Sequence, residues 1–326
     1  MPKYNGSGCG ISSDRVRRKD TLAAALRGRN RIGAISLQRQ ILPTLAAAFA
    51  LASVASPAFA QDTTVAPPDT GSAVAAADFD GDSITLGGGF AYLPDYEGSN
   101  DYRFTPAPGA IGSYRGYSFT VAGNRASLDL IRNQPGPSWD VQAGPIAVLN
   151  LNRTNIDNID DRRVRALGER DAGIELGGYV GLGKTGVITS PYDKLSVSLS
   201  YRYDVNGAHS SGILQPSVTY LTPLSRKAAF GLFASAERVE RGYGRAYFGV
   251  DAAQSVASGL PVYAAPRGWK NWTLGALGTY SLTGDLLHGF KIVGGGTYGR
   301  QFDRFANSPV VRIAGSRTQW LGVLGV

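Results

Sequence analysis

The sequence predicts an all-β protein: a transmembrane antiparallel β-barrel of about twelve strands behind a cleavable signal peptide. Three observations predict it. A basic leader ends in an apolar run and a small-residue cleavage site at residue 60. Segments in which apolar and polar residues alternate recur from residue 82 to the end. No stretch after Ala60 has the roughly 18 consecutive apolar residues that a helical span needs.

The leader comes first. The run Ile41 to Ala55 is followed by Ser56, Pro57 and Ala58-Phe59-Ala60, and then by polar Gln61-Asp62. This is the pattern of a signal peptide cut between Ala60 and Gln61, with Ala58 and Ala60 as the small residues of the site. Residues 1–60 carry nine Lys/Arg against two Asp, which accounts for +7 of the net +8 and leaves +1 for the exported part. The mature chain therefore lacks the basic face that nucleic-acid binding requires, and no nucleic-acid partner is expected. Cys9 is the only cysteine and lies in the leader, which excludes disulfides and thiolate metal sites from the mature chain. Residues 61–81, rich in Ala, Pro, Asp and Thr, read as a flexible periplasmic lead-in, and residues 82–326 as the barrel.

The strands follow in order. In the first, Ile84, Leu86, Gly88, Phe90 and Tyr92 alternate with Ser83, Thr85, Gly87, Gly89 and Ala91. Arg103 to Tyr114, Tyr117 to Gly123, Ala126 to Ile131 and Trp139 to Leu151 give the next four. Ile174 to Leu182 and Leu195 to Val205 are the clearest: Leu195, Val197, Leu199, Tyr201 and Tyr203 face one way, and Ser196, Ser198, Ser200 and Arg202 the other. Leu214 to Thr222, Ala228 to Glu237, Trp272 to Leu282, Phe290 to Arg300 and Arg312 to Val326 complete twelve. One face of each suits lipid and the other a polar lumen. Tyr92, Tyr102, Trp139, Tyr203, Tyr220, Trp272 and Trp320 fall where interfacial aromatic girdles sit.

Connector lengths supply an independent check. With both termini in the periplasm, the long connectors starting at Pro94, Asn152, Asn206, Arg238 and Gln301 all fall outside, and the short ones all fall inside. This requires two strands within 117–131, turning near Asn124-Arg125; reading that segment as one strand gives eleven and puts the longest loop in the periplasm.

Several motifs lose to their context. Gly178 to Thr185 matches the phosphate-loop pattern, but the helix that must follow is replaced by Gly186-Val187-Ile188-Thr189-Ser190-Pro191. Gly294, Gly296 and Gly299 sit within a strand, where close packing explains them. Asp78, Asp80 and Asp82 begin like a calcium loop that then fails at Ser83 and Gly89. His209 with Ser210 and Ser211 invites comparison with outer-membrane lipases, yet neighbours in one loop rarely achieve the required hydrogen-bond geometry. No catalytic residue, metal site or cofactor is therefore expected, and the chain is not expected to be an enzyme. The loop bearing Arg162, Arg163, Arg165 and Arg170 among Asp157, Asp160, Asp161, Glu169 and Asp171 reads as solvated, with contact to lipopolysaccharide phosphates as the sharper alternative.

Leu93-Pro94-Asp95-Tyr96-Glu97-Gly98-Ser99-Asn100-Asp101-Tyr102-Arg103 after a Gly-rich first strand resembles the opening of MipA/OmpV family proteins. So do Tyr247-Phe248-Gly249-Val250, Ser258-Gly259-Leu260-Pro261-Val262-Tyr263 and Asn307-Ser308-Pro309-Val310-Val311. The resemblance covers roughly 82–326. It implies a Gram-negative outer-membrane barrel, in contact with outer-membrane lipid and lipopolysaccharide. It also implies a scaffold that links a lytic transglycosylase to a penicillin-binding protein. A small-solute channel or receptor and a surface adhesin are the alternative functions. The family typically ends in an aromatic residue, whereas this chain stops at Leu324-Gly325-Val326.

The connector Arg238 to Gly268 is long for a loop without a role. It and its flank carry Tyr243, Tyr247, Phe248, Tyr263 and Trp269, too many aromatics for full exposure, and this segment is expected to occlude the lumen or present a binding surface.

Overall fold

The computed structural model describes residues 82–132 and 139–326. The leader 1–60, its expected cleavage site at Ala58, Ala60 and Gln61, and the lead-in 61–81 lie outside the described residues.

Twelve strands form among the described residues: β1 (Ser83–Pro94), β2 (Tyr102–Tyr114), β3 (Tyr117–Ala122), β4 (Arg125–Asp129), β5 (Trp139–Asn150), β6 (Gly173–Thr185), β7 (Lys194–Asp204), β8 (Gly212–Pro223), β9 (Ala228–Val239), β10 (Gly268–Ser281), β11 (Lys291–Gln301) and β12 (Thr318–Gly325). Each pairs antiparallel with its neighbours in sequence, and β1 pairs with β12 to close the ring. Closure leaves every strand flanked on both sides, which is the condition for placing a sheet in lipid.

Alternation does what its period requires. On β7, Val197, Leu199, Tyr201 and Tyr203 are exposed on the outer wall, while Lys194, Ser200, Arg202 and Asp204 are buried within. On β6, Ile174, Leu176, Val180 and Leu182 face out, with Glu175 and Tyr179 buried inside. Outward aromatics cluster across strands, with Tyr92 stacked on Tyr102 at 5.3 Å and Tyr298 against Trp320 at 4.7 Å.

The phosphate-loop look-alike lies on β6 and runs into a turn in which the Asp193 carboxylate accepts the amides of Val187, Ile188 and Thr189. Gly294, Gly296 and Gly299 lie on β11.

Three strand ends differ from expectation. The last strand begins at Thr318, because Ser308 accepts the Val310 amide and Pro309 opens a short helix, Pro309–Arg312, where alternation suggested a strand start. β4 stops at Asp129, whose carboxylate turns back to take the amides of Ile131 and Ala143. β10 starts at Gly268 and accommodates Lys270 in a bulge between Trp269 and Asn271, a shift that breaks simple alternation.

Antiparallel pairing gathers the long connectors 95–101, 151–172, 205–211, 240–267 and 302–317 at one end, together with the tight turn at Gly123-Asn124. The connectors at 115–116, 186–193, 224–227 and 282–290 lie at the other, with the described residues 130–132. These are the loop end and the turn end below.

Candidate functional site

The loop end is filled by its own connectors. The longest one, 240–267, forms a helical turn at Arg241–Tyr243, a π-helical turn at Gly244–Phe248 and a helix at Ala252–Ser258 capped at both ends. Asp251 and Gln254 exchange a capping box, and Gly259 ends the helix with φ of 73°. Tyr243, Tyr247 and Phe248 pack with Phe305 and Val311 of the 302–317 connector and with Ile213 and Val239 of the wall. A second cluster joins Tyr96, Ile159, Val164, Leu167, Val250, Leu260, Val310 and Ala314, from four connectors. Tyr263 packs against both clusters, and its hydroxyl donates to the Arg304 carbonyl. Trp269 stands apart from this group: it lies on β10 and is substantially exposed.

The mixed-charge connector 151–172 also differs from a plain solvated loop. Asp161 caps the helix Arg162–Arg165 and pairs with Arg163, which turns Ile159, Val164 and Leu167 into the second cluster. Its Arg153 is buried, with one hydrogen bond from Nη2 to the Ala246 carbonyl.

Beneath this cap runs a chain of buried charges. Lys270 Nζ lies 2.6 Å from Glu97 Oε1 of the first connector and 2.6 Å from Glu237 Oε2 of β9. Arg202 continues it, with Nη2 2.6 Å from Glu237 Oε1 and Nε 2.5 Å from Glu175 Oε2. Negative and positive groups thus alternate, and each cation sits between two carboxylates. That is the arrangement that offsets the several kcal/mol per ion which burial costs. Gln215 accepts from Arg202 (2.9 Å) and Arg125 (2.8 Å), and Asn150 donates to Glu175 (2.9 Å), so the belt spans the inner wall from β4 to β10. Tyr243 ties the cap to it: its hydroxyl donates to Glu97 at 2.8 Å, and its ring lies 4.7 Å from the Lys270 ammonium. Burial and then Glu97 push the Tyr243 phenol well above its ordinary pKa, so it stays a donor.

The lipase comparison fares differently from expectation. His209 Nδ1 lies 2.9 Å from Ser211 Oγ, and His209 Nε2 lies 3.2 Å from Glu175 Oε1, so hydroxyl, imidazole and carboxylate do line up. Neighbours achieve this because Ser210 adopts φ of 46° and folds the chain back. The line is nevertheless walled in. Ser211 Oγ already accepts the Tyr243 amide at 2.8 Å, the imidazole packs edge-on to Tyr243 and Tyr247, and a Cβ on Gly242 would meet Ser211 Cβ at 2.9 Å. A carbonyl carbon has no approach to this oxygen. The three residues anchor the 240–267 connector to the wall. His288 lies exposed in a connector at the turn end, beside Asp285.

Sequence reasoning placed Arg202 on an inward face without a partner, and did not identify Glu97, Glu175, Glu237 and Lys270 as members of one chain. The available signal was charge at inward positions close to the loop-end limits of β6, β7, β9 and β10.

A ring of twelve antiparallel strands, apolar outside, polar within and capped at one end, defines a membrane β-barrel of the outer-membrane type. Comparison with protein-family models matches residues 86–326 to the family described as MltA-interacting protein MipA. The chain belongs to this family. A comparison with curated proteins finds no match. Among solved structures, the toluene transporter TodX of Pseudomonas putida is similar at a TM-score of 0.30 and 8% identity, over 76% of this chain and 89% of that one. A likeness of that size bears on neither substrate nor mechanism.

Proposed function

We propose that this protein is a non-enzymatic, closed outer-membrane barrel that anchors murein-remodelling enzymes. In this reading a signal peptide directs export and is cut after Ala60, the loop end faces outward amid lipopolysaccharide, and the turn end faces the periplasm. There the rim, or residues 61–81, receives a lytic transglycosylase and a penicillin-binding protein. The observation that carries the reading is the cap. Tyr243, Tyr247 and Phe248 pack into the mouth, and Tyr243 is held to the inner wall through Glu97 and Lys270, a construction suited to occlusion rather than to passage. The family's description, MltA-interacting protein, supports the choice of partner.

Affinity purification from native membranes tests the partner: a transglycosylase or a penicillin-binding protein should co-purify, and recovery of neither contradicts the anchor. Planar-bilayer recording of the refolded barrel tests the closure. The intact protein should be silent, and deletion of 251–265 should produce conductance; steady conductance from the intact protein would instead support a small-solute channel through the polar lumen.

A further inference from the structure

One acidic cluster in the cap stands outside the charge chain. Asp95 and Asp101 from the first connector and Asp160 from the 151–172 connector present carboxylate oxygens that all lie within 4.8 Å of one another. Among the described residues, no Lys, Arg or His pairs with any of the three. Asp95 is only 5% exposed. Its Oδ2 accepts the Asp160 amide at 2.8 Å, which turns the carboxylate toward that residue, and its Oδ1 is buried with no hydrogen-bond partner. An anionic oxygen left so is costly unless a cation answers it.

We propose that Asp95, Asp101 and Asp160 bind a calcium ion that ties the first connector to the 151–172 connector across the cap. The donors are all hard oxygens, which suit calcium or magnesium rather than a softer metal. Calcium holds oxygens at about 2.3–2.6 Å, so two ligands across one ion stand up to about 5 Å apart; the tighter magnesium shell allows only about 4.2 Å. Three carboxylates of unequal burial, on two different connectors, suit the looser and more adaptable calcium shell.

The test uses the full chain refolded in detergent, with terbium as the luminescent probe and Tyr96, next to Asp95, as a local sensitiser. One terbium per barrel should bind, and calcium should displace it well before magnesium does. Asp101→Asn and Asp160→Asn should each weaken terbium and calcium binding by about tenfold or more, as loss of a charged ligand does. Asp303→Asn, in the exposed pair with Arg317, should change nothing. Heat-modifiable electrophoretic mobility reports whether each variant retains its barrel, and either cluster variant alone suffices. Emission that calcium does not displace, equal displacement by magnesium, or wild-type affinity in both cluster variants would overturn the proposal. The site does not depend on the anchoring function, so its loss would leave that reading untouched.

Discussion

At the turn end, the connectors are held largely by residues close in sequence, and longer reaches such as Tyr220 to Asp193, across 27 positions, stay within adjacent hairpins. Arg115 and Gly116 take φ of 53° and 82° to make a two-residue hairpin turn, and Asp193 gathers three amides from within six residues of itself. At the loop end the same task, joining neighbouring strands, is done by contacts far apart in the chain. Tyr243 reaches Glu97 across 146 positions, and Tyr96 reaches the Ala314 carbonyl across 218. The contrast separates two roles. Local hydrogen bonds are sufficient to close a hairpin; a structure that depends on remote partners as well does something beyond closing it, here the building of a cap.

The sharpest way to break this comparison is to remove a cation on which two carboxylates depend. Lys270→Met leaves Glu97 and Glu237 buried without it and should cost about 3–5 kcal/mol in urea unfolding of the refolded barrel. Lys227→Met, at an exposed position of the turn end, should stay within about 0.5 kcal/mol. Phe248→Ala should cost about 3 kcal/mol by opening a cavity against Phe305, and should admit proteases to the 240–267 connector, which the wild type should resist. Tyr243→Phe keeps the ring and removes the hydroxyl's bond to Glu97 and the bond it accepts from Lys270, for about 1–2 kcal/mol.

At the turn end, pH sharpens the comparison. Despite its burial, the amides of Thr189, Val187 and Ile188 and the Tyr220 hydroxyl hold the Asp193 carboxyl below its ordinary pKa. Its contribution is therefore present above the ordinary carboxylate pKa and lost as pH falls toward the depressed value. Asp193→Asn should flatten that acid limb while leaving the cap's protease resistance unchanged. Smallest among the cap variants, Arg153→Met removes a buried cation that pairs with no carboxylate among the described residues, and should be neutral or stabilising within about 1 kcal/mol. A larger loss would show that Arg153 holds the cap together.

The strands were legible because a period of two is a local property, visible wherever one wall meets lipid and the other a polar lumen. Leu195 to Tyr203 shows it without any partner strand in view. The cap was legible only as composition: the aromatics at 243, 247, 248 and 263 could be recognised as unsuited to water, but not assigned neighbours. Val310 and Val311 were read as part of an open connector; Ser308-Pro309 starts a short helix there, and the Ser308 hydroxyl donates to the Phe248 carbonyl. The line from Ser211 through His209 to Glu175 turns on one left-handed residue, Ser210, and no spacing rule anticipates it.

The reach of the cap's contacts also orders assembly in time. Glu97 enters the chain early, but its partner Lys270 comes only with β10, and the Ala314 carbonyl that Tyr96 requires immediately precedes the strand that closes the ring. Contacts of such separation form late, because the intervening chain must first be confined. A barrel interrupted before β12 thus lacks a lid as well as a seam. A set cap certifies a finished barrel, readable at the loop end by a probe that never touches the strands.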